Sequence, residues 1–202
     1  MGEPLSGPLK SLRAFAERRP AVERCDLCAA ALPERHGHVF DPARRELKCC
    51  CQACGLLFQV GENAAWKAVR PRVERLDFTI DDAAWDALQL PIQLAFFQRS
   101  GADGVVRAFF PSAAGATESL LPAGTWERVE AAHPALAAME DDVEALLVNR
   151  TGGLREHYLV SIDECYALVG VIRARWRGFT GGPEAWEGIR ELFDRLRGGM
   201  HA

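Results

Sequence analysis

Two closely spaced pairs of cysteines constrain this chain more than any other feature of its sequence. They read Cys25-Asp-Leu-Cys28 and Cys51-Gln-Ala-Cys54, with 22 residues between the pairs. Each CxxC segment can form a knuckle, a tight turn that directs both sulfurs to one point, and two knuckles can hold an ion between four thiolates. The sequence therefore predicts a metal module over residues 21–60, in which Cys25, Cys28, Cys51 and Cys54 bind one ion.

The residues around these pairs agree with a metal-stabilised module. Few large apolar residues lie between Ala29 and Arg45, so the segment cannot build a core unaided, and a metal cross-link can replace one. Gly55 follows the second pair, where we expect the knuckle to need the conformational freedom of glycine. Residues 56–58 are predicted to leave the site as a short strand.

Zinc is the predicted ion, and iron is the alternative. Zinc ribbons and rubredoxins both hold their metal with four cysteines on two knuckles, so the ligand set alone does not separate them. Rubredoxin sites usually have a glycine after both pairs and an aromatic shell. Here Ala29 follows the first pair, and the segment contains few aromatic residues. These differences favour structural zinc over a single iron ion or an iron–sulfur cluster.

Four more residues near the pairs have side chains that can bind metals: Cys49, Cys50, His36 and His38. In an extended chain Cys49 points to the same side as Cys51, and Cys50 points to the other side. Cys49 is therefore an additional candidate ligand, and Cys50 is expected to be a small core residue. His36 and His38 could supply ligands, could bind a second ion with Cys49, or could simply belong to a polar turn.

Charge and hydropathy exclude several classes of protein. Residues 1–75 carry 13 basic and 9 acidic side chains, and the remainder of the chain carries 11 and 19. The positive half is only mildly basic, which argues against a nucleic-acid binder. No apolar run approaches the ~18 residues of a membrane span, and residues 1–24 lack the pattern of a signal peptide. We therefore expect a cytoplasmic protein without membrane insertion. In the cytoplasm, six cysteines clustered between residues 25 and 54 indicate metal binding rather than disulfides.

The second part of the chain has the pattern of an α+β domain with a mainly antiparallel sheet and helices on one face. Strands are predicted at residues 76–79, 92–99, 105–111, 143–150 and 154–161. Helices are predicted from Asp81 or Asp82, from Thr125, over residues 162–176 and from Pro183 to about residue 196. Two similar strand pairs, each followed by a helix, lie about 50 residues apart and suggest a hairpin–helix duplication. The expected division is a tail and short helix (1–20), the metal module (21–60), a linker (61–75) and the α+β domain (76–202).

Cys165 suggests an alternative function for the protein. The stretch from Ser161 to Glu164 matches a capping box, which would place Cys165 in the first turn of a helix, where the helix dipole lowers a thiol pKa. His157 and Asp163 are close in sequence, so a thiol enzyme using Cys165 is an alternative. Thr117-Glu118-Ser119 is predicted to lie in a loop that could contact a ligand.

Several stretches together resemble an uncharacterised bacterial family that is met beside uptake [NiFe]-hydrogenase genes. They are the two cysteine pairs, His36-Gly-His38, residues 112–121 and residues 163–170. The resemblance covers roughly residues 20–197. It implies that Cys25, Cys28, Cys51 and Cys54 are the ligands, with Cys49 as a fifth candidate.

The resemblance and the cysteine pairs lead to one expected function and two alternatives. We expect a non-enzymatic metal-binding accessory protein with structural zinc, whose protein partners are hydrogenase subunits or maturation proteins. The first alternative is a rubredoxin-like electron carrier with iron in the same four thiolates. The second is the thiol enzyme that uses Cys165.

Overall fold

The computed structural model describes residues 22–57, 66–112, 114–178 and 181–199. In these ranges the chain forms a three-stranded sheet, a six-stranded sheet and five α-helices. Every strand pair is antiparallel. The prediction of an α+β fold with a mainly antiparallel sheet is confirmed. The tail and short helix expected within residues 1–20 lie outside the described residues.

The smaller sheet carries the cysteine region. Its strands run in the order β2-β1-β3 and are β1 (Gly37–Asp41), β2 (Glu46–Cys50) and β3 (Lys67–Val69). Helix α1 (Gln52–Leu57) follows β2, so Leu56 and Leu57 are helical and the strand predicted there is wrong. Residue 58, the last of that predicted strand, is outside the described residues. Strand β3 lies within residues 61–75, so part of the predicted linker is an ordered strand.

The larger sheet runs in the order β4-β9-β8-β5-β6-β7. Its strands are β4 (Val73–Arg75), β5 (Leu94–Arg99), β6 (Val106–Ser112), β7 (Gly115–Ser119), β8 (Glu144–Asn149) and β9 (Glu156–Ser161). Every residue of β8 and β9 is buried, as expected for strands covered on both faces. Strand β7 includes Thr117, Glu118 and Ser119, which were predicted to lie in a ligand-contacting loop. Glu118 instead pairs with Arg45 and Arg107.

Helices cover both faces of this sheet, whereas the sequence pattern predicted one helical face. They are α2 (Asp82–Ala87), α3 (Thr125–Ala132), α4 (Ile162–Arg175) and α5 (Gly182–Gly198). Phe96 of β5 belongs to the core that contains α4 and α5. Its neighbour Phe97 stacks on Trp126 of α3 and meets Trp85 of α2 edge-on. Alternating side chains of one strand therefore enter two different cores.

Both predicted hairpins are present, and they lie side by side because β5 pairs with β8. The helices that follow them pack on opposite faces. Helix α4 begins directly after β9, whereas the chain passes through β7 before it enters α3. The extra strand was not visible as a separate apolar pattern in the sequence.

Local helix signals were informative in most places. The side chain of Asp81 accepts a hydrogen bond from the backbone N–H of Ala84 and caps α2, and Pro183 lies in the first turn of α5, as predicted. The capping box at Ser161 is not formed. The Ser161 hydroxyl makes no cap hydrogen bond to α4 and accepts instead from the backbone N–H of Arg72 at 3.3 Å.

Candidate metal centre

The four cysteines of the two pairs meet at one end of the small sheet. Cys25 and Cys28 lie on a turn before β1, Cys51 precedes α1, and Cys54 lies within that helix. One potential ligand atom from each of them lies within 4.8 Å of the others. The sulfurs of Cys28 and Cys51 are 3.7 Å apart. Four ligands at the Zn–S distance of 2.3 Å would be separated by about 3.8 Å in a tetrahedron, so these four cysteines could hold a metal ion.

The first knuckle is closed by two backbone hydrogen bonds. The N–H of Cys25 donates to the carbonyl of Ala30, and the N–H of Ala29 donates to the carbonyl of Cys25, both at 2.8 Å. Ala29 has a φ of 60°, in the left-handed region that non-glycine residues seldom adopt. From the sequence we expected the unusual backbone conformation at Gly55, and that expectation is wrong.

Gly55 is helical because the second knuckle merges with the first turn of α1. Its N–H donates to the carbonyl of Cys51 at 2.8 Å, and the N–H of Cys54 points to the Cys51 sulfur at 3.5 Å. A helix turn thus supplies the N–H group that a free-standing knuckle would take from a glycine-containing turn. The two halves of the site therefore use different backbone conformations.

Asp26 joins the first knuckle to the small sheet. Its backbone N–H donates to the carbonyl of Cys49 at 2.9 Å, and its carboxylate accepts from the N–H of Cys49 at 2.7 Å. These reciprocal bonds hold the first pair against the end of β2, immediately before Cys51. The sequence motif marked the cysteines and gave no sign of this role for Asp26, because the two partners are 23 residues apart.

The electrostatics of the cluster suit a cation. Burial opposes ionisation of Cys25, but hydrogen bonds from the backbone of Cys51, Leu27 and Cys28 lower its pKa to about 6. Burial and the neighbouring thiols raise the pKa of Cys54. Thiolates packed this closely repel one another, so all four can ionise together only with a cation among them. The donor set fits Zn²⁺, and it also fits a single iron ion.

Cys49, His36 and His38 form a second group instead of joining the four cysteines. Each offers one potential ligand atom, and these atoms lie within 4.8 Å of one another. Nδ1 of His36 is 3.0 Å from the carbonyl oxygen of Pro33, and Nδ1 of His38 is 3.2 Å from a carboxylate oxygen of Asp163. Cys50 lies in the small core of the module, as predicted.

The position of Cys165 argues against the thiol enzyme. Its side chain is fully buried in the core beneath α4 and α5, and burial raises its pKa well above the ordinary value, with Glu164 and Asp163 adding to the effect. His157 lies on the other face of the sheet, beside Phe78. Asp163 pairs with His38. The predicted lowering of the Cys165 pKa is therefore wrong, because burial outweighs the helix dipole.

Comparison with known proteins gives one match. A model of a family of unknown function, DUF5947, matches residues 24–200. No curated protein and no solved structure matches the chain. Among the described residues, no helix is long and apolar enough to cross a membrane. The match covers both cysteine pairs and both sheets, in agreement with the resemblance to an uncharacterised family, and the chain therefore belongs to the DUF5947 family.

Proposed function

We propose that Cys25, Cys28, Cys51 and Cys54 bind one structural Zn²⁺ that holds the small sheet, the first knuckle and α1 together. The observation that carries this proposal is the convergence of the four sulfurs within 4.8 Å. Four protein ligands fill a tetrahedral shell and leave no position for a substrate, as in structural zinc sites. The small apolar core of the module includes Cys25, Cys50 and Cys54 themselves, so the metal bonds would tie this core directly to both knuckles.

Metal analysis of protein purified without chelators tests the ion. The expected result is a colourless protein with one tightly held zinc per chain at this site. A red protein with one iron per chain would support the rubredoxin-like electron carrier, which uses the same four thiolates. Protein that folds fully and contains neither metal would contradict both.

We further propose that the protein is a non-enzymatic accessory factor that acts by binding another protein in the cytoplasm. Leu56 and Leu57 on α1 support this role, since they are 63% and 70% exposed directly beside the metal-binding cysteines. Leu56 also lines a cavity of about 680 Å³ with Pro33 and Val69. Exposed apolar side chains beside a cavity are common at protein-binding surfaces. All described cysteines are free, as is usual in a reducing compartment.

The proposed partners are [NiFe]-hydrogenase subunits or maturation proteins, and the support for them is the sequence resemblance alone. Affinity capture from the native host should retrieve such a protein, and deletion of the gene should lower hydrogenase activity without lowering its transcript. Replacing Leu56 and Leu57 with serine should weaken capture. Leu120→Ser is the control, because Leu120 is 87% exposed but lies beyond β7. Unchanged hydrogenase activity together with no hydrogenase component in the capture would refute this assignment.

A further inference from the structure

His36, His38 and Cys49 converge on one side of the small sheet. His38 of β1 and Cys49 of β2 are directly opposite in the strand register, so their side chains share a face. His36 precedes β1 by one residue, and its ring centroid is 5.0 Å from that of His38. One potential ligand atom of each residue lies within 4.8 Å of the other two. Two imidazoles and a thiol thus lie close together at the β1–β2 hairpin.

Both rings are oriented through the same nitrogen. Nδ1 of His36 is 3.0 Å from the carbonyl of Pro33, which can only accept a hydrogen bond, so this nitrogen carries the proton. Nδ1 of His38 is 3.2 Å from the Asp163 carboxylate. In a neutral imidazole the other nitrogen, Nε2, then has a free electron pair. Histidines that bind metals are usually oriented in this way, by a carbonyl or carboxylate on the nitrogen that does not face the ion.

Nε2 of His36 provides a second, independent indication. It is buried and has no hydrogen-bond partner among the described residues. An unsatisfied buried acceptor typically costs about 1–3 kcal/mol, so such a group indicates a missing partner. Glu23 lies 3.6 Å from the other ring nitrogen of His36 and adds negative charge. A cation beside Nε2 would satisfy both features.

We propose that His36, His38 and Cys49 form a second metal site that binds a divalent transition-metal ion, with Zn²⁺ as the test ion. Two imidazole nitrogens and one thiolate are ligands that zinc accepts. Three protein ligands leave one tetrahedral position open, whereas the four-cysteine site is closed. His36 and His38 line the cavity of about 680 Å³, so water or a small anionic or thiol ligand can reach that position.

Asp163 is the positioning residue of this site. It lies in the first turn of α4, 125 residues from His38 in the sequence. Its carboxylate fixes the tautomer and the ring orientation of His38, so its removal should weaken metal binding without removing a ligand. Changes of this kind usually reduce metal affinity by about 10–100-fold. The pair also connects the open site to a helix of the large domain.

Zinc titration of the full chain against a chromophoric chelator tests the proposal. Wild type should bind a second equivalent after the four-cysteine site is filled. His38→Gln and Cys49→Ser should each lose the second equivalent and keep the first, and Asp163→Ala should bind it at least tenfold more weakly. His133→Gln and Cys50→Ser are matched controls and should keep both, because they change a histidine and a cysteine outside the site. Retention of the first zinc shows that each variant is folded.

The ligands can be observed directly with Co²⁺ in the second position. Two exchangeable, paramagnetically shifted imidazole N–H signals are expected, one from each Nδ1, and His38→Gln should remove one of them. Wild type that stops at one equivalent, or a second equivalent that survives both His38→Gln and Cys49→Ser, would overturn the proposal. Neither result would affect the four-cysteine site, which Cys51→Ser tests separately.

Discussion

Cys50 and Cys51 are neighbours at the end of β2 that differ in burial. Cys51 is one of the four converging cysteines and packs only partly against the small core, whereas Cys50 is 2% exposed within that core, near Gly37. Alternation along an extended strand separates their side chains. Replacing Cys50 should therefore have a different effect from replacing Cys51, although both residues are cysteines.

Cys51→Ser should lose the metal of the four-cysteine site and loosen both knuckles, because a serine hydroxyl is a poor zinc ligand and zinc binding in zinc-finger peptides contributes about 10–16 kcal/mol. Cys50→Ser should keep the metal and lose only about 1–3 kcal/mol for a buried hydroxyl. Metal analysis and limited proteolysis distinguish the two. Equal loss of metal from both variants would show that the ligand assignment is wrong.

Ala29 has an unusual backbone conformation that no sequence signal indicated. Its left-handed conformation lets the chain turn back after Cys28 so that Ala30 can accept from the N–H of Cys25. An alanine in this region costs about 1–2 kcal/mol. The surrounding hydrogen bonds must compensate for that cost, and the proposed metal would add to this compensation.

His157 gives the large domain a specific dependence on pH. Burial, followed by the charge of Arg150, lowers its pKa to about 4, so the folded protein holds it neutral while the unfolded chain protonates it near pH 6.5. The unfolded state therefore binds more protons between these values. Stability from this residue is complete above pH 6.5 and is lost as the pH falls towards 4, by about 2 kcal/mol at pH 5.

His157→Gln should reduce the loss of unfolding free energy between pH 7 and pH 5 by about 2 kcal/mol relative to wild type. Glutamine can still accept the hydrogen bond from the N–H of Ile80, which lies 3.4 Å from Nε2 of His157. Urea denaturation at both pH values measures the difference. A wild type and variant with parallel pH profiles would contradict the neutral, buried state of this histidine.

At the scale of elements, α4 and α5 pack closely at one glycine. A Cβ added at Gly188 would lie 2.4 Å from Cγ1 of Val171, which is closer than real contacts allow. Gly188 is buried in the middle of α5. The two helices can reach this separation because no side chain stands between their backbones at that point.

Gly188→Ala should destabilise the protein by about 1–3 kcal/mol, since overpacking outweighs the better helix propensity of alanine. Gly170→Ala in α4 is the matched control. A Cβ added at Gly170 would meet nothing within 4 Å, so this variant should gain up to about 1 kcal/mol. Thermal or chemical denaturation of both variants tests the packing. Stabilisation by Gly188→Ala would show that the helices lie farther apart.

At the scale of the molecule, several polar contacts join the small sheet to the large sheet and its helices. The His38–Asp163 pair is one, and the hydroxyl of Tyr166 donates to the carbonyl of Arg45 at 3.1 Å. Lys67 of β3 forms an ion pair with Asp142 at 2.8 Å. The contact is also apolar, because Phe40 of β1 and Val69 of β3 are buried in the core that contains α4 and α5. The second core of the large sheet is formed by residues after Arg75, so most of the stability of the large sheet should not depend on the metal. The predicted domain boundaries themselves stay a prediction.

Removal of metal by a chelator should therefore loosen the cysteine end of the small sheet and leave the large sheet folded. Hydrogen exchange measured by mass spectrometry should show that the turn from Cys25 to Ala30 and helix α1 lose protection, whereas the central strands β5 and β8 retain it. The physical reason is that the metal would join these two segments, while β1 is anchored through Phe40 in the core of the large sheet and β5 and β8 are covered on both faces. Simultaneous loss of protection in β8 would show that the two parts form one cooperative unit.

The sequence by itself determined the features that depend on neighbouring residues. The two cysteine pairs, the cap at Asp81, the start of α5 at Pro183 and both hairpins follow from local spacing and turn chemistry, and the structure agrees with them. These signals are readable because a knuckle, a helix cap or a tight turn involves residues only a few positions apart.

Only the tertiary structure decided the features that join distant segments. It placed helices on both faces of the sheet, put His157 and Cys165 on opposite sides of it, and paired His38 with Asp163 across 125 residues. The residue with a left-handed backbone is Ala29 and not Gly55. Gly55 is helical because α1 begins between Cys51 and Cys54. Such outcomes depend on strand order and on which core each face of a strand enters, and no local pattern carries that information.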